Sequence, residues 1–119
     1  MEQIKRIDPN TISVKISVFV FEQDGLFVAY SPSLELSSYG KTKESATNSF
    51  EFVLEDFITY SVERKILREN LSDLGWELEL NELKDELDYP NLILKSFNYE
   101  EVTPVGSIRH EHNGQIAYA

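Results

Sequence analysis

The sequence predicts an α+β fold: a three-stranded antiparallel meander plus one or two further strands, packed by one long helix and a short second helix in the order β-β-β-α-α-β. Three observations point there. Apolar and polar residues alternate in three segments between Thr11 and Tyr39, the apolar spacing turns helical after Gly40, and alternation returns beyond Gly75.

From Thr11 to Phe21, Ile12, Val14, Ile16 and Val18 alternate with Ser13, Lys15 and Ser17, and the run then becomes apolar on both faces. That pattern is a strand with one buried face that enters a central position at its end. Asp24-Gly25 tolerates the positive φ of a tight turn, so Leu26 to Tyr30 forms the second arm of a hairpin. Pro32, lacking an N–H, ends that arm, and Leu34 to Tyr39 alternates as the third strand.

Past Gly40, Ala46, Phe50, Val53, Leu54, Phe57 and Ser61 fall on one helical stripe, with Lys43, Thr47, Glu51, Glu55 and Thr59 opposite. Thr42 suits the N-cap and Glu44 the first turn, where the helix dipole favours a negative charge. Leu67, Leu71 and Leu74 define a shorter helix that stops at Gly75. Trp76 is expected as a core plug beneath the helix pair. Trp76 to Leu80 alternates as a return strand, Asn81 to Asp88 is mostly charged and reads as a surface turn of helix or a loop, and Asn91 to Tyr99 has the β-branched and aromatic content of one more strand. The composition thins after Val102-Thr103-Pro104-Val105-Gly106. The expected division is therefore a domain over 1–103 and a tail over 104–119, mobile or ordered by a partner, in which Asn113-Gly114 is available for a hairpin.

At 119 residues with 41% hydrophobic positions, the chain is sized for one core. Eleven Lys and Arg against 21 Asp and Glu give a net charge of −10, which repels phosphate backbones, so direct nucleic-acid binding is not expected. With no cysteine there is no disulfide framework, thiolate nucleophile or cysteine zinc site. No apolar run approaches the roughly 20 residues of a membrane span, and Met1 to Asn10 is too polar for a secretory core; a cytoplasmic location away from membranes is expected.

No catalytic, metal or cofactor constellation emerges. Two-metal hydrolysis needs converging carboxylates, typically starting at the centre of a leading strand, and Val14-Lys15-Ile16-Ser17-Val18 carries none. His110 and His112 would face the same way on a strand, but no third ligand lies nearby in sequence. There is no G-x-S-x-G elbow and no glycine-rich phosphate loop.

The series Asp24-Gly25, Pro32-x-Leu34, Gly40-x-Thr42 and Ala46 early in the helix resembles the HicB-like antitoxin family, whose pattern is a D-G hairpin, a Y/F-x-P-x-L segment and G-x-T followed by E-A. The likeness covers about Ser13 to Glu55. Each residue also has a structural role: the turn, the strand break, a return to the core, the bend, the cap and a close approach of helix to sheet. Ser33 stands where an acid is common, and Glu44-Ser45-Ala46 replaces adjacent Glu-Ala. Residues 76–119 show no basic recognition helix or strand, so the family's DNA-binding module does not carry over.

The resemblance implies a partial RNase-H-like fold without catalysis that binds and occludes a small basic mRNA-cleaving toxin of the HicA type. The acidic balance complements such a partner. Candidate interface residues are Glu51, Glu55, Glu77, Glu79, Glu82, Asp85, Glu86 and Asp88; a solvated, solubilising surface is the plain alternative reading of the same acids. The rival function is an orphan structural or adaptor domain of the same fold that has no toxin and self-associates through a sheet edge or the tail, as a homo-oligomer and most simply a dimer.

Overall fold

A computed structural model describes residues 2–8, 10–78, 92–94, 98–99 and 102–117. The fold is α+β, as the sequence predicts: one sheet with a long helix and a short helix against it. The strands are β1 (Glu2–Asp8), β2 (Thr11–Gln23), β3 (Leu26–Ser31), β4 (Leu36–Gly40), β5 (Glu77–Leu78), β6 (Leu92–Leu94) and β7 (Ile108–Ala117). The helices are α1 (Lys43–Glu63) and α2 (Leu67–Ser72).

The meander β2-β3-β4 forms where the alternation places it. Asp24 and Gly25 both take positive φ, 53° and 82°, and close the two-residue hairpin between Gln23 and Leu26. Pro32 to Glu35 is a turn, and β4 begins at Leu36 rather than Leu34; Leu34 is buried from the turn itself. α1 is capped reciprocally: Thr42 Oγ1 accepts from Ser45 N at 3.0 Å and Ser45 Oγ accepts from Thr42 N at 3.1 Å. Ser45 thus supplies half of the cap. Gly40 is required by space: a Cβ there would collide with Ser45 Oγ and with the Ala46 backbone nitrogen.

β2 organises the sheet. A strand has two hydrogen-bonding edges. β7 pairs β2 from Thr11 to Val20 and so takes one edge, overlapping the registers of β1 (Gln3↔Lys15, Ile4↔Val14) and of β3 (Phe19↔Tyr30, Val20↔Ala29). β1 and β3 must therefore lie end to end along the other edge. Beyond β1 come β6 and then β5, and beyond β3 comes β4.

Ile12, Val14, Ile16, Val18 and Val20 project toward the helices and form the core with Ile4, Ala29, Ala46, Phe50, Leu54, Ile58, Val62 and Leu71. α1 packs mainly across β3 and β4. Trp76 is buried, as expected of a core plug, and donates Nε1–H to the Ser33 carbonyl at 3.1 Å, tying the exit of α2 to the 32–35 turn. Burial of Phe19, Val28 and Ile93 on the opposite face shows that the sheet is covered in part on both sides.

Two segments differ from the sequence expectation. Residues 2–8, assigned no element, form β1, although Ile4 and Ile7 are their sole large apolar residues. Within the expected tail, Ile108–Ala117 is a single ten-residue strand, and Asn113 and Gly114 lie inside it opposite Lys15 and Val14, so they make no hairpin. Tertiary pairing with a strongly apolar β2 decides both, where local pattern carries little signal. Residues 79–91 and 95–97 lie outside the described residues, so the expected strand beyond Leu78 and the charged turn of Asn81 to Asp88 are not described; β5 and β6 fall where the two later strands are expected.

Candidate partner-binding surface

Where β1 and β3 abut, β2 loses one regular partner, and a side chain replaces it. Glu2, 3% exposed, accepts from the backbone N–H of Ser17 at 3.2 Å and from Ser33 Oγ at 2.5 Å through Oε1, and from the Tyr99 hydroxyl through Oε2. Burial, followed by the bond to Glu2, pushes the Tyr99 phenol up to about 12. The Tyr99 ring packs against Phe19 at 5.3 Å between centroids, and the Arg109 guanidinium lies 4.5 Å over it while its Nε–H donates to Ser17 Oγ at 3.0 Å. A serine bonded to a carboxylate has the form of an activated nucleophile, but Ser33 is fully buried. The arrangement is a latch joining β1, β2, the 32–35 turn and β7.

Among the described residues, the predicted interface acids do not form one patch. Glu51 and Glu55 are exposed on α1. Glu77 is exposed on β5 opposite Ile93, which pairs Gln3, which pairs Lys15; that register puts Glu77 on the face away from α1. Glu79, Glu82, Asp85, Glu86 and Asp88 lie outside the described residues. The outer side of α1 is acidic beyond the predicted pair: Glu44, Asp56 and Glu63 are exposed too, and between them stand Phe52, 75% exposed, and Tyr60, 51% exposed.

Between α1 and β7 runs a cleft that the sequence reading missed. One cavity, of about 230 Å³, is lined by Val14, Leu54 and Ile116 at its base, with Glu51, Glu55 and Gly114 at its sides. A second, of about 290 Å³, lies along Val18, Val20, Phe50, Thr47 and His110. His112 borders both, its ring edge-on to Phe50 at 6.5 Å. His110 and His112 do share one face, as their spacing requires, yet among the described residues no three His, Asp or Glu are grouped to hold a metal ion. Two features of the sequence could have located the cleft: the alternation Ile108, His110, His112, Ile116, and the placement of Glu51 and Glu55 one turn apart.

Of the residues on which the resemblance rests, Asp24 and Gly25 close the hairpin, Pro32 and Leu34 are buried in the turn, Gly40 lies under the helix start, Thr42 is the cap and Ala46 is fully buried against the sheet; each has a structural role that needs no partner. No helix among the described residues is long and apolar enough to cross a membrane. Comparison with family models, with curated proteins and with solved structures finds no match to this chain.

Proposed function

We propose that this chain is a non-catalytic antitoxin-like domain that binds a small basic, mRNA-cleaving toxin of the HicA type and covers its active surface in the cytoplasm. The observation that carries the reading is the outer side of α1, where Glu44, Glu51, Glu55, Asp56 and Glu63 are exposed together with Phe52 and with Tyr60, over whose ring the Arg64 guanidinium lies at 4.8 Å. Large exposed aromatics amid like charges are what an interface anchor with a steering rim looks like, and a protein that grips RNA presents the opposite sign. The hairpin, turn and cap residues shared with HicB-like antitoxins support the same reading.

The test is to mix the purified chain with the small basic protein encoded by an adjacent gene. A stoichiometric complex by light scattering and suppression of RNA cleavage are expected. Absence of such a gene, or cleavage that continues with the chain in excess, overturns the reading. A second reading, an adaptor domain that self-associates as a dimer, has in its favour that β7 pairs only β2 among the described residues. Sedimentation of the isolated chain separates the two.

A further inference from the structure

The outer edge of β7 and the cleft beside it form one continuous surface. In antiparallel pairing, successive residues direct their backbone groups to alternate edges. Ser17 N–H points to Glu2 on the β1/β3 edge, so Ile12, Val14, Ile16, Val18 and Val20 address β7 and are answered by Ile116, Gly114, His112, His110 and Ile108. Arg109, Glu111, Asn113 and Gln115 therefore turn their N–H and C=O groups outward, to an edge that no described strand occupies. The register is unbroken over ten pairs, so this edge is straight enough to accept another strand.

Side chains of an added strand on the helix side would project over β7 toward the two cavities, with successive same-face residues about 7 Å apart. The cavity by Phe50, Val18 and Val20 suits an apolar residue. The cavity by Glu51 and Glu55 has an apolar base of Val14, Leu54 and Ile116 beneath two carboxylates, which matches the aliphatic stem and cationic head of a lysine or arginine. At Gly114 no Cβ stands, and the His112 ring takes up that space, its Nε2 3.0 Å from where one would be, so the ring forms one wall of this cavity.

We propose that this edge and cleft dock an extended, basic segment of a partner protein by strand addition, with an apolar residue seated by Phe50 and a lysine or arginine between Glu51 and Glu55. The identity of that partner as the toxin rests on the function proposed above. Charge selects a basic segment over a second copy of this chain, since two copies bring −10 each to the joint.

The test is a titration of the ¹⁵N-labelled chain with a short peptide of alternating lysine and valine, against one of alternating glutamate and valine. Shifts confined to Thr47–Glu55 and Arg109–Gln115 are expected with the lysine peptide alone, with new exchange protection at Arg109, Glu111, Asn113 and Gln115. Glu51→Gln with Glu55→Gln, both exposed and safe for folding, should weaken binding about tenfold. Asn113→Pro, which removes an outward N–H and leaves the β2 ladder its bonds, should abolish it. Shifts elsewhere, an equal response to the glutamate peptide, affinity unchanged by the paired glutamine substitutions, or a homodimer that Asn113→Pro dissolves would each overturn the proposal. If the toxin complex survives all three substitutions, the antitoxin reading stands and this site falls. If the lysine peptide binds here and no basic toxin competes with it, the site stands and that reading falls.

Discussion

At the scale of single residues, the latch around Glu2 makes two predictions. Glu2→Gln keeps the shape but replaces a carboxylate that accepts three bonds, and urea unfolding should show a loss of about 1–3 kcal/mol. The raised phenol of Tyr99 sets a pH dependence. Between the ordinary value of 10 and about 12, the unfolded chain releases a proton that the folded chain retains. Stability is thus intact below pH 10 and falls as pH rises through that window, and Tyr99→Phe should flatten the fall in thermal unfolding followed across it. Gly40→Ala drives a methyl into the Ala46 backbone and should cost about 1–3 kcal/mol by the same urea assay. Asp24, Gly25 and Thr42 were legible in the sequence because their partners are neighbours in the chain. Glu2 was not, since its partners lie 15, 31 and 97 positions away.

Among the elements, β2, β3, β4 and α1 announced themselves through the period of their apolar residues, strictly alternating in the first half of β2 and helical in α1. β1 and β7 did not. E-Q-I-K-R-I-D and I-R-H-E-H-N-G-Q-I-A hold few apolar residues, and each is held by pairing with β2 and by Glu2, Arg109 and the Lys15–Glu111 ion pair at 3.2 Å. The cleft went unseen for that reason: a wall supplied by a strand taken for a tail leaves no groove to predict. β7 also shields one edge of β2 from Thr11 to Val20. Deleting residues 107–119 would bare ten consecutive positions of the most apolar strand, and the shortened chain should aggregate at micromolar concentration in static light scattering while the full chain stays dispersed.

For the whole molecule, periodicity gave the fold class and composition the sign of the field, and neither could say which acids share a surface. Glu51 and Glu55 border one cleft while Glu77 faces away from it, a separation that only sheet register reveals. The net charge of −10 predicts that salt has opposite effects on the chain alone and on its complex. Raising NaCl from about 50 to about 500 mM should raise the melting temperature of the free chain by screening self-repulsion, and should slow association with a basic partner about tenfold or more in stopped-flow mixing. The placement of β7 has a temporal meaning as well. Even its nearest pair, Val20 and Ile108, is 88 positions apart, so β2 leaves the ribosome about 4 to 18 s before the strand that shelters it. Throughout that delay the nascent protein is a template open to capture, and a chaperone or a cognate partner that arrives early would meet the bare flank of β2 rather than the finished surface.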